Sequence, residues 1–129
     1  MTVTALLTAQ AVGTGANKGT GLYASHTTLQ AATSGLQVQC KWTLGAAAAI
    51  AGSHIRVWVA VSAFSDSASI PQKYECTAQV FEIPVPRDPS SSRVGQTDFI
   101  LNVGGECYVW FEVPTTDVAG TLDANLVEI

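Results

Sequence analysis

The stretch Leu36-Gln37-Val38-Gln39-Cys40-Lys41-Trp42-Thr43-Leu44 decides the fold class. In an extended chain Leu36, Val38, Cys40, Trp42 and Leu44 fall on one side, and Gln37, Gln39, Lys41 and Thr43 on the other. Successive side chains of a strand point to opposite faces, so this reads as a strand with one buried face and one wet face. The same period recurs along the chain. In His54 to Ala63, Ile55, Val57, Val59 and Val61 oppose His54, Arg56, Trp58 and Ser62. Tyr74, Cys76, Ala78 and Val80 alternate with Glu75, Thr77 and Gln79, and Leu122, Ala124 and Leu126 alternate with Asp123 and Asn125 within Thr121 to Ile129. Thr97 to Val103 and Glu106 to Val113 read as a hairpin about Gly104-Gly105, a dipeptide that tolerates the positive φ of tight turns. Weaker strands are expected at Thr2 to Gln10 and Leu22 to Gln30. About eight short strands separated by Gly, Pro and Ser clusters predict one all-β domain over residues 1–129, a two-sheet antiparallel sandwich.

One segment argues for helix. Gly45-Ala46-Ala47-Ala48-Ala49-Ile50-Ala51-Gly52 is Ala-rich, but it is bracketed by glycine and too short to be stable alone, so a turn of helix or a loop is expected. Polar loops are expected at Val12 to Gly21, at Ser65 to Gln72 and at Pro84 to Gly95. The last holds Pro84, Pro86 and Pro89 and reads as the longest strand-free stretch, since proline bars pairing inside a sheet.

Composition narrows the function. The chain has 129 residues, 47% hydrophobic and 12% charged, with a formal net charge of −4. That excludes a disordered chain, a coiled coil and a basic arm for nucleic acid. A chain of this length buries about two-thirds of its unfolded surface, enough for a core without staples. Met1-Thr2-Val3-Thr4-Ala5-Leu6-Leu7 has neither the basic start nor the long apolar run of a secretory signal, and no stretch reaches the ~20 apolar residues of a membrane helix. Three widely spaced cysteines, Cys40, Cys76 and Cys107, form no CxxC pair and read as buried reduced thiols.

Catalytic signals are weak throughout. His26 and His54 stand in neither HxH nor HExxH spacing, so no metal site is expected. No GxSxG elbow is present. Glu106 and Glu112 share parity on one strand, but six residues of strand span about 20 Å, too far to act on one bond. Gly13-x-Gly15 and Gly19-x-Gly21 lack the GK[ST] of a phosphate loop. We expect no catalytic residue and no cofactor.

The informative residue set is the surplus of large apolar side chains. Cys107, Val109, Phe111 and Val113 share one face, which sends Tyr108 and Trp110 to the other. Trp58 lies opposite the valines of its strand, and Phe81 and Ile100 fall on faces with polar neighbours. A two-layer sandwich buries one face of each sheet, so Trp58, Phe81, Ile100, Tyr108 and Trp110 are expected to form a contact between subunits. The alternative is a strand buried on both sides. The loop residues Pro86, Arg87, Asp88 and Arg93 are polar and adaptable, and are expected to touch a different protein.

The Thr/Ala/Gly-rich opening from Thr2 to Gly35, the eight strands and the acidic, low-charge balance together resemble small virion proteins of tailed bacteriophages, of the jelly-roll head-decoration or cement type. The resemblance implies a jelly-roll-like sandwich. It also implies a homo-oligomer, often a trimer, that clamps the major capsid protein or another virion protein and is assembled in the host cytoplasm. It implies no nucleic-acid or membrane partner and no catalytic residues. A carbohydrate- or receptor-binding module of a fibre or tail tip, with Trp42, Trp58 or Trp110 stacked on a sugar ring, is the competing reading.

Overall fold

The computed structural model describes residues 1–12, 22–44, 54–62, 79–84, 92–101, 105–113 and 120–129. These form nine strands: β1 Thr2–Val12, β2 Leu22–Thr28, β3 Gly35–Leu44, β4 His54–Ser62, β5 Gln79–Pro84, β6 Ser92–Gln96, β7 Ile100–Leu101, β8 Glu106–Glu112 and β9 Gly120–Glu128. No helix occurs among the described residues. One sheet runs β1-β9-β3-β6, with the two-residue β7 also on β3; the other runs β2-β8-β4-β5. Every pairing is antiparallel.

The order has a simple origin. Strand β1 pairs with β9, β2 with β8, β3 with β6, and β4 with β5. These are the four rungs of one long hairpin folded at β4–β5. Rolling that hairpin brings β9 against β3 and β8 against β4, which closes two layers of two rungs each. This is the jelly-roll arrangement of two Greek keys. The expected two-sheet sandwich is therefore present.

The core lies between the layers. Leu36, Val38, Cys40 and Trp42 of β3 and Leu122, Ala124 and Leu126 of β9 face Ile55, Val57 and Val59 of β4 and Cys107, Val109 and Phe111 of β8, all buried. Each large aliphatic or aromatic side chain taken from water here contributes about 1.5–3 kcal/mol. Burial in apolar surroundings pushes the Cys40 and Cys107 thiols up to about 12, and the charge of Glu128 adds to the effect on Cys107. Both cysteines are free. Cys76 lies outside the described residues.

At one corner the layers approach closely. Gly95 of β6 pairs with Cys40, and a Cβ added to it would overlap Cγ2 of Ile83, a buried residue of β5 in the opposite sheet. Glycine is required here because the other sheet occupies the side-chain position. At the free edge, β1 carries two register shifts, between Ala5 and Leu7 and between Leu7 and Gln10. Ala9 has a φ of 46° and donates its N–H to Oδ1 of Asp123 at 2.8 Å. Such irregularity breaks the run of edge backbone groups that would otherwise template strand addition.

Two local expectations are corrected. The hairpin about Gly104-Gly105 does not form: β7 pairs with β3 in one sheet, while β8 pairs with β2 and β4 in the other. The connection crosses between layers, as a rolled hairpin demands. Gly105 keeps a φ of 115°, and its carbonyl accepts the Leu29 N–H at 3.0 Å. The stretch from Pro84 to Gly95 is not strand-free either. Its last residues enter β6, which zips onto β3 from Thr43↔Ser92 to Gln39↔Gln96. The Ala-rich segment, the Ser65 to Gln72 loop and Tyr74 to Ala78 lie outside the described residues, as does the Val12 to Gly21 loop beyond Val12.

Candidate functional site

The residues expected at a subunit contact divide between two places. Phe81 pairs with Val57 and turns inward against the core. Ile100 pairs with Leu36 and is buried in the same core. Neither is available at the surface of its sheet. Trp58, Tyr108 and Trp110 do converge, on the outer face of the β2-β8-β4-β5 sheet. Across that face one row runs Ala24, Trp110, Trp58, Val80, and the next runs His26, Tyr108, Ala60.

These rings are not exposed together. Trp110 is 1% exposed and Tyr108 5%, and with Ala60 they form a second buried cluster against which the half-buried Trp58 packs. The expected contact between subunits through Tyr108 and Trp110 is corrected: both faces of β8 are buried within one chain. The local cause is position. β8 is flanked by β2 and β4, small residues at Ala24 and Ala60 make room beside the rings, and Tyr108 stacks near Trp110 with centroids 6.3 Å apart.

The next row on this face is polar. Glu106 accepts hydrogen bonds from the Thr28 hydroxyl, at 3.2 Å to Oε1 and 3.1 Å to Oε2. Nε2 of His26 stands 2.6 Å from Glu106 Oε2, and the His26 ring stacks on Tyr108 with centroids 4.9 Å apart. Both the imidazole and the carboxylate are largely buried, which makes this pair costly to break from either side. From the sequence alone, His26 reads only as a metal-ligand candidate and Glu106 only against Glu112. The signal that joins them is parity: both lie on the outward set of paired strands, two residues out of register. Glu106 and Glu112 are separated by the Tyr108 and Trp110 rows, as the strand spacing requires.

At the far end of the face the charges are at the surface. Arg56 stands 3.3 Å from Glu112 and 3.9 Å from Glu82, and His54 stands 3.3 Å from Glu82. A second buried acid, Glu128, works at the end of the sandwich: its Oε1 accepts the Gln30 N–H at 2.6 Å and the Thr33 hydroxyl at 2.7 Å, tying the β2–β3 turn to β9. Among the described residues no group of three or more His, Cys, Asp or Glu converges to hold a metal ion. Of the expected partner-contact loop, Pro86, Arg87 and Asp88 lie outside the described residues. Arg93 is a β6 residue in register with Trp42, and its side chain also lies outside them. No protein-family model matches the chain, and a search of curated proteins finds no match.

Proposed function

We propose that this chain is a non-enzymatic structural protein of a bacteriophage particle, a decoration or cement subunit that binds the head lattice and stabilises it. The observation that carries the reading is the strand order. A rolled hairpin of four rungs is an architecture of viral shell and lectin domains. Fold alone admits many functions, so the site chemistry must choose among them. Here the buried acids are spent on internal work: Glu106 on His26 and Thr28, Glu128 on the β2–β3 turn. That supports a rigid contact module over a catalytic scaffold. Free thiols at Cys40 and Cys107 suit assembly in the host cytoplasm. The sugar-binding alternative loses two of its three rings, since Trp42 and Trp110 are buried, and keeps only Trp58.

The test is genetic and physical. Particles are grown from the encoding genome with and without this reading frame, and the heat-induced release of their nucleic acid is followed. The proposal expects release at lower temperature without the chain, restored by adding the purified protein. Unchanged heat stability, with no binding of added protein, would refute it.

A further inference from the structure

Strand β2 ends its sheet, and one hydrogen bond sorts its backbone groups into those that face β8 and those that face outward. Leu29 stands directly opposite Gly105 in the β2–β8 register, and its N–H donates to the Gly105 carbonyl at 3.0 Å. In an antiparallel pair, opposed residues that bond alternate with opposed residues that do not. Tyr23, Ser25 and Thr27 therefore bond to β8, while the N–H and C=O of Leu22, Ala24, His26 and Thr28 point to the edge. Among the described residues no backbone hydrogen bond reaches these outward groups. Leu22, Ala24 and Thr28 are exposed, so solvent reaches the edge. The other edges are guarded. β1 carries two register shifts, β5 carries Glu82 and ends on Pro84, and β6 is five residues long with Arg93 and Gly95. β2 runs seven residues in unbroken register and contains no Pro, Gly, Lys, Arg, Asp or Glu. An edge of that kind is a template for a further strand.

We propose that β2 pairs antiparallel with β2 of a second copy about a two-fold axis at Ser25, joining two four-stranded sheets into one. Three observations select a second copy as the occupant. First, the outward residues lie symmetrically about Ser25. With the two Ser25 residues opposed, Leu22 meets Thr28 of the second copy and Ala24 meets its His26, and the reverse. Every outward N–H and C=O of both copies is then bonded. Sliding the register by two residues leaves one outward residue of each copy unmatched. Second, the side chains fit that register. On the outer face the small Ala24 lies opposite His26, whose ring is already stacked on Tyr108. On the inner face Tyr23 lies opposite Thr27, an aromatic and β-branched pair of the kind that stabilises sheets. Third, two chains of net charge −4 repel, and β2 brings no carboxylate to the contact. Glu106 of one copy and Glu112 of the other share a row of the joined sheet, but three strand spacings, about 14 Å, separate them, beyond the ~8 Å screening length of physiological salt. The contact uses both β2 edges and so closes at a pair, not the trimer that the resemblance implies. The inference stands whether or not the chain coats a phage head.

The experiment combines sedimentation equilibrium with residue-resolved hydrogen exchange on the full chain at about 100 µM, far above a micromolar dissociation constant. Wild type is expected at twice the chain mass. Ala24→Pro removes an outward N–H that no bond within the chain uses, a position where an edge strand accepts proline, and it bars a strand from adding. It is expected to be a monomer with an unaltered circular dichroism spectrum. Ala24→Lys keeps the N–H and sets a charge in each copy against the facing strand. It is expected to weaken pairing more than about tenfold, which tests the contact even where proline disturbs β2. The Leu22, Ala24, His26 and Thr28 amides of wild type are expected to exchange at least about tenfold more slowly than the Leu22, His26 and Thr28 amides of the Ala24→Pro monomer. A wild-type monomer, including one whose β2 edge is taken only by a strand of another protein, would overturn the proposal. So would an odd-numbered assembly, a pair that survives both Ala24 variants, or a pair whose outward amides exchange as fast as the monomer's.

Discussion

Substituting Gly95 by alanine tests the closest approach between the sheets. The new Cβ would overlap Cγ2 of Ile83 and stand 3.4 Å from its Cβ. Ile83 is buried and β-branched, so it cannot swing aside without leaving its preferred rotamer, at about 0.5–1.5 kcal/mol, or forcing the sheets apart. Overpacking of this kind costs about 1–3 kcal/mol. Against it, alanine restricts the unfolded chain and returns about 0.4–1 kcal/mol. The net expectation is a loss of about 1–2 kcal/mol, read as a lower urea midpoint with an unchanged slope, followed by tryptophan fluorescence. The cause is isolated by a double-mutant cycle. Ile83→Ala alone should cost about 2–5 kcal/mol through its cavity. In the double variant the methyl group introduced by Gly95→Ala partly fills that cavity, so the combined loss should be smaller than the sum of the two singles, with a coupling of about 1–2 kcal/mol. Stabilisation by Gly95→Ala, or strictly additive losses, would refute the reasoning.

The outer face of the β2-β8-β4-β5 sheet makes a second test. Trp110→Ala should cost about 3–5 kcal/mol and Trp58→Ala markedly less, because only the first ring is fully buried; equal losses in urea unfolding would contradict the packing. His26→Ala should cost about 1–3 kcal/mol, since it removes the ring stacked on Tyr108 and the nearest neighbour of a buried carboxylate that keeps the Thr28 hydroxyl, whereas Glu82→Ala should cost under about 1 kcal/mol because its partners are at the surface. The thiols give a pH signature. Their folded pKa is raised from 9.0 to about 12, so the folded state keeps a proton that the unfolded state releases. The stability they contribute is fully present below pH 9 and falls between pH 9 and 12, by up to about 1.4 kcal/mol per pH unit for each thiol. Cys40→Ala combined with Cys107→Ala should flatten that decline. At pH 8 a polar thiol reagent should leave Cys40 and Cys107 unlabelled in the native protein.

The fold class was legible because the inward sets of β3, β4 and β9 are apolar and buried along each strand and alternate in sequence with a more polar set. Strand β8 defeated the same rule. Its alternation is real, but its outward side chains are buried too, with Trp58 and Ala60 packed beside Tyr108 and Trp110 and His26 stacked on Tyr108, so apolar residues on the second face mark a strand buried on both sides here. Phe81 and Ile100 were misplaced for a different reason: short edge strands carry too few residues for parity to outvote polar neighbours. The Gly104-Gly105 hairpin failed because nearness in sequence predicts pairing only within one sheet, and a rolled hairpin sends β7 and β8 to different layers. Strand β6 was hidden by the prolines and serines before it. The open edge of β2 was invisible in the sequence, because the sheet order makes β2 an edge and the Leu29–Gly105 hydrogen bond fixes which of its residues turn outward.

The central functional claim is that this chain is a component of an assembled particle. Quantitative mass spectrometry of density-purified particles from the encoding genome, with immunogold labelling by antiserum to the purified chain, tests it most directly. The account predicts the chain at a fixed ratio to the shell protein, with label on the outside of intact heads. Particles that lack the chain, while the lysate contains it in soluble form, would contradict the account.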